Sequence, residues 1–168
     1  MKTWMILLVM CSLPVGAQDM KSCPMHKDKT GHQADVEKNG DMAMGFPHDA
    51  TTHHFRLLPD GGAIEVTVND AKDTENLAMI RMHLKHITSM FSSGDFSIPM
   101  FVHSEVPPGT TEMKDRRADI SYTFEELPTG GRVRILTKNP DALNAVHDFL
   151  AFQIQDHQTG DTANVGPR

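Results

Sequence analysis

Cys23, Pro24, Met25 and His26 stand side by side in a segment otherwise made of Lys, Asp, Ser and Thr. A thiol, a thioether and an imidazole within one short run are soft donors of the kind that select Cu(I), and copper also tops the divalent affinity series. Pro24 fixes its own φ and removes one amide donor, which stiffens the run. No branched apolar neighbour offers these side chains a core to fill, so packing does not account for them.

A second set of donors is periodic. Met79, His83, His86 and Met90 are spaced to stack along one side of a helix, beside a core stripe of Leu77, Ile80, Leu84, Ile87 and Phe91. Imidazoles one turn apart can share an ion, and flanking thioethers bias that ion toward Cu(I), while imidazole also suits zinc and Cu(II). The competing reading is a solvated helix face. His48, His53 and His54 form a third group, in which His53 shares the inward strand face with Phe55 and His54 faces outward. His103 lies in the stretch 95–115, which its Pro and Gly content marks as a long loop, and long loops are often functional. His147 sits among apolar neighbours and reads as a satisfied core histidine. His157 ends a helix, where an imidazole complements the last carbonyls and the helix dipole.

The elements that must hold these donors follow from period and punctuation. Residues 18–50 carry Lys, Asp, Gly, Gln and His with almost no branched apolar residue, too little to offset the entropy of ordering, so a flexible His/Met/Cys arm is expected. From 51 the pattern is two strands about Pro59-Asp60-Gly61-Gly62, then a helix capped at Asp73 or Thr74 and ended by Gly94. Two more strands turn at Pro128-Thr129-Gly130-Gly131, and a last helix begins with Asn139 as cap and Pro140 in its first turn.

The two halves correspond. Phe55, Leu58, Pro59, Gly61 and Gly62 recur as Phe124, Leu127, Pro128, Gly130 and Gly131. Leu77, Ile80 and Leu84 align with Leu143, Val146 and Leu150 after a short deletion. A tandem ββα repeat is expected within 51–168, with repeats at about 51–95 and 118–161. The fold class this implies is α+β, with a four-stranded, mostly antiparallel sheet and two helices on one face. At the stripe positions His83 and His86 the second half has Phe149 and Phe152, so the repeat does not itself demand imidazole there.

The first seventeen residues have a basic start, an apolar run and a small-residue end, which is the pattern of a cleaved signal peptide. Lipid attachment at Cys11 is the alternative. No later stretch reaches the ~18 apolar residues of a membrane helix. The formal charge of −6 disfavours nucleic acid as a partner. Without the leader only Cys23 remains, and a single thiol in an oxidising compartment suggests a metal ligand or a bridge between two copies.

The run Ser22-Cys23-Pro24-Met25-His26-Lys27-Asp28 resembles the Cys-Pro-Met-His segment of bacterial heavy-metal-binding domains, which occur in periplasmic adaptor subunits and pumps of copper and silver efflux. Thr51-Thr52-His53-His54-Phe55 and the segments around His83 and His157 resemble a group of secreted bacterial proteins. The first resemblance implies copper or silver as cargo and a metal-efflux or acceptor protein as partner. The combined expectation is a periplasmic binding protein for copper or a related soft metal, zinc being the second candidate. Its ligands would be drawn from Cys23, Met25, His26, His48, His53, His54, Met79, His83, His86, Met90 and His103. No nucleophile with a paired base, HExxH, phosphate loop or CxxCH is present, so an enzyme is disfavoured. Two alternatives stand: a small haem-handling protein or enzyme using His83 or His86, or a non-catalytic interaction module, dimeric through its helices or Cys23.

Overall fold

The computed structural model describes residues 29–167; the expected leader and the Cys23–His26 run lie outside them. The chain is mixed α+β. Strands β1 (Thr51–Leu58), β2 (Gly61–Val68), β3 (Ile120–Leu127) and β4 (Gly130–Thr137) form one antiparallel sheet in the order β1-β2-β4-β3. Each hairpin pairs over its full length, from Thr51 opposite Val68 to Leu58 opposite Gly61, and from Ile120 opposite Thr137 to Leu127 opposite Gly130. Every strand of the second hairpin starts 69 residues after its counterpart.

The long helices α2 (Thr74–Ser93) and α5 (Pro140–Asp156) cover one face. Asp73 caps α2 by accepting the Asn76 N–H at 3.0 Å, and Gly94 ends it at φ 81°. Asn139 Oδ1 caps α5 by accepting from the amides of Asp141 and Ala142. The stripe Ile80, Leu84, Ile87 and Phe91 is buried, as is the α5 set Val146, Phe149, Leu150 and Ile154. Each helix packs mainly on the hairpin of the other half, α2 on β3 and β4, α5 on β1 and β2. Two glycines allow the approach: a Cβ at Gly62 would collide with Leu150 Cδ1, and one at Gly131 would crowd Leu84 Cδ1 and the Phe124 ring. Arg81 of α2 donates to the carbonyls of Leu127 (2.8 Å) and Gly130 (3.2 Å). His147 of α5 stands over the other turn, its Nε2 at 2.9 Å from the Leu58 carbonyl and 3.0 Å from that of Gly61. That is the satisfied role expected for His147. The far face of the sheet is polar, with Glu65 buried beneath Arg132 at 2.8 Å.

Two expectations are corrected. Residues 29–50 are not a flexible arm: α1 (Lys29–Met44) is a full helix, followed by a short 3-10 turn over His48–Ala50. Its sequence carries no apolar stripe, so tertiary contacts hold it. Val36 and Phe46 are buried, Asn39 donates to the carbonyls of Phe101 and Val102, and His32 Nε2 lies 2.8 Å from Asp156 Oδ1. The stretch 95–115 is not one long loop. It holds α3 (Ser97–His103) and α4 (Thr110–Asp115), with Pro99 early in α3, where it interrupts no helical bond.

After α5 the tail runs along the outer edge of β1. Asp161 Oδ2 accepts the Phe55 N–H at 3.0 Å, and the Gly166 N–H donates to the Leu57 carbonyl at 2.9 Å. No helix among the described residues is long and apolar enough to cross a membrane.

Candidate functional site

The sheet, α2, α3 and the end of α5 leave a cavity of about 80 Å³ under α1. Four imidazoles reach it from four elements: His53 from β1, His83 from α2, His103 at the end of α3, and His157 just past α5. Met44 of α1 and Gln153 of α5 complete the polar or polarizable part of the wall, and the rest is aliphatic and aromatic. None of the lining residues is Asp, Glu, Lys or Arg. Pockets for drug-sized ligands usually measure ~300–1,000 Å³, so this space suits an ion or a few waters.

Local structure explains each placement. Alternation along β1 turns His53 to the same face as buried Phe55. The helical period carries His83 from the margin of the core stripe to the cavity, where Phe46 meets its ring edge-on at 5.9 Å. His103 is 1 % exposed and held from both sides, Nδ1 at 2.5 Å from Asp156 Oδ2 and Nε2 at 3.0 Å from Gln153 Oε1. Asp156 binds His32 through its other oxygen, so one carboxylate ties α1, α3 and α5 together. Burial alone would raise the Asp156 carboxyl, but the hydrogen bonds from His32 and His103 outweigh it and hold the group below its usual range.

The rings of His53 and His157 lie within 4° of parallel with centroids 6.1 Å apart, and His157 also meets Phe55 and His103. No hydrogen bond from the described residues reaches a ring nitrogen of His53, His83 or His157, in contrast to His103. All three are kept neutral. Burial, then neighbouring His83, His48 and His54, lowers His53 from 6.5 to about 4. Burial, then His86, takes His83 to about 4. Burial, then His103 and His53, takes His157 to about 3 against the opposing pull of Asp156. A neutral imidazole with a free lone pair is the form that binds a metal. The Gln153 amide nitrogen is also buried without a partner among the described residues.

A second groove of about 210 Å³ borders the cavity on the side of α1 and shares Gly40, Met44, His53 and His157 with it.

Of the predicted ligands, the structure brings His53, His83 and His103 to one cavity. His86 is exposed on α2, so the expected His83/His86 pair is split between cavity and surface. Met79 and Met90 are half-buried against the core. His54 Nδ1 binds Asp161 at 2.9 Å, and His48 Nδ1 binds Asp41 at 3.0 Å on the rim of the groove. Cys23, Met25 and His26 lie outside the described residues. Among the described residues no three His, Cys, Asp or Glu side chains meet at metal-ligand spacing. Sequence reading missed His157, assigned to the helix end, together with Met44 and Gln153. The motif around His157 held the only hint, since Asp156 and His157 follow the buried Ile154 where a solvated tail would be expected to begin.

No protein-family model matches the chain, and no curated protein or solved structure does.

Proposed function

We propose that the protein is a periplasmic binding protein for copper or a related soft metal ion. The Cys23–His26 run, by its resemblance to heavy-metal-binding segments, is the capture element. The imidazole-lined cavity is the holding site, and an efflux or acceptor protein is the destination of the ion.

One observation carries this reading: His53, His83 and His157 present unbonded, neutral imidazoles to a single apolar-walled space that Met44 also lines. These three half-buried rings line one space and take no hydrogen bond from the described residues, which leaves their nitrogens available to a ligand. Nitrogen and thioether donors without carboxylates favour a soft ion. The dimensions also rank the alternatives. A cavity of about 80 Å³ accepts an ion as it stands, whereas a porphyrin would require it to open several-fold.

The test is anaerobic titration of the full chain with Cu(I) against a chromogenic chelator, and separately with Zn(II), followed by the same titration of the His53→Ala/His83→Ala variant. Saturable binding of one or two equivalents, weakened at least tenfold by the double substitution, is the expected result. A chain that binds neither metal saturably overturns the proposal.

A further inference from the structure

We infer that helix α1 is a lid: it detaches about Gly45 while the rest of the fold stays intact, and its detachment admits a ligand to the His53 and His157 rings. This goes beyond the soft-metal reading and does not depend on which ligand the cavity holds.

The position of α1 is that of a cover. Gly40 and Met44 are its contribution to the inner cavity, and Gln33, Val36 and Glu37 join them along the groove. His53 and His157 line both spaces, so lifting α1 merges the two over these rings. The remaining cavity walls come from the sheet, α2, α3 and α5, and they include core residues such as Phe55, Leu84, Phe91 and Phe149.

The packing of α1 is weak for a helix of its length. Val36 is the only buried side chain among its residues 31–44, whereas α2 is anchored by Ile80, Leu84, Ile87 and Phe91. Gly31 and Gly40 each weaken the helix relative to alanine, and a short helix without a packed apolar face is marginal in water. Its other ties are polar. His32 Nε2 lies 2.8 Å from Asp156 Oδ1, and Gln158 Nε2 donates to Gln33 Oε1 at 2.8 Å. Asn39 Nδ2 donates to the carbonyls of Phe101 and Val102 at 3.3 and 3.4 Å. Segments with few buried apolar contacts open at a lower free energy than the whole domain unfolds.

The boundary of the moving unit is marked by two adjacent residues. Gly45 follows α1 at φ 79°, a left-handed conformation that glycine adopts without strain. Phe46, next in the chain, is buried in the core and meets His83 edge-on. Backbone freedom is therefore followed at once by a fixed anchor. The exposed Asp41–His48 pair spans this pivot and holds the closed angle. The His32–Asp156 tie lies toward the other end of the helix, roughly 20 Å from Gly45 at 1.5 Å of rise per residue, and acts as the latch.

The experiment reads the metal-free full chain at pH 7 in two ways. Hydrogen exchange followed by mass spectrometry measures the opening of each helix. Diethyl pyrocarbonate, which acylates an unbonded imidazole nitrogen, measures access to individual histidines, with exposed His86 as internal standard. Amides of α1 are expected to exchange at least a hundredfold faster than those of α2 and α5. The His32→Ala/Asn39→Ala variant removes polar ties without altering a residue of the cavity or groove wall. It should raise modification of His53 and His157 at least fivefold relative to His86, with exchange in α2 and α5 unchanged. Gly31→Ala, whose added methyl meets nothing within 4 Å, should act in the opposite direction. It should slow modification about fourfold, the ratio set by the helix preference of alanine over glycine. Circular dichroism reports whether each variant folds, and Gly31→Ala decides alone where the double variant does not. Exchange of α1 only in step with α2 and α5, or unchanged modification of His53 and His157 in a folded variant, overturns the lid. Metal titrations do not enter these readouts, so failure of the soft-metal reading and failure of the lid are told apart.

Discussion

The two hairpins with the long helices that follow them, β1-β2-α2 and β3-β4-α5, solve the same packing problem and then part at a few positions. Arg81 on α2 and His147 on α5 are aligned in sequence, and each secures the turn carbonyls of the opposite hairpin. Leu84 and Leu150 are likewise aligned, fully buried, and seated where Gly131 and Gly62 leave room. The differences concentrate on one cavity. His83 stands where the other half has Phe149, which is buried in the core, and His53 stands where the other half has Tyr122, also buried. Where the halves agree, the residues build the frame; where an aromatic in one half is an imidazole in the other, the substitution adds donors without changing the frame.

Truncation of the frame should cost most. Leu84→Ala and Leu150→Ala are each expected to lose ~2–5 kcal/mol in denaturant unfolding, since both side chains are fully buried. A large loss for one and almost none for the other would break the equivalence of the two helices.

Acid should act on the imidazole half. His53, His83 and His157 have folded-state values near 4, 4 and 3 against an ordinary 6.5. The unfolded chain therefore takes up protons first as pH falls. Stability of the metal-free protein is complete above about pH 6.5 and declines toward pH 4, by on the order of 1 kcal/mol per pH unit for each group. Melting temperature against pH measures this, and a flat profile between pH 6.5 and 4.5 contradicts it.

Converting one half into the other sharpens the point. His83→Phe should raise the stability of the metal-free chain at pH 5 by about 1 kcal/mol, because a half-buried unbonded imidazole is replaced by an apolar ring. It should also remove one group's share of the pH slope.

A further pair tests the agreement between halves. Arg81→Ala and His147→Ala should each destabilise by about 1–2 kcal/mol through loss of the turn contacts, more than a typical surface substitution. Amide exchange should quicken at the hairpin turn opposite the altered helix, not at the adjoining one.

Much of this frame is readable in the chain. Alternation in Ile64, Val66 and Val68, the Gly pairs of the turns, the core stripe of α2 and the Asn139-Pro140 start of α5 each report a local rule that tertiary structure obeys. Helix α1 is not readable in this way. It contains Gly31 and Gly40 and no apolar face, and it is held by scattered anchors such as Val36, Asn39 and His32 whose partners lie far along the chain. Helix α3 is short and contains Pro99, a residue that marks loops more often than helices. The site was half legible. His53 and His83 showed themselves because period placed them on inward faces. His157 depends on how the end of α5 meets β1, which no local pattern encodes.

The course of the tail past β1 has a consequence for assembly. Asp161 and Gly166 occupy the outward N–H of Phe55 and the outward carbonyl of Leu57, so the tail interrupts the ladder that this margin of the sheet could offer a second molecule. The other edge is β3, whose Glu125 and Glu126 would confront their own counterparts in any antiparallel pairing of two copies about that segment.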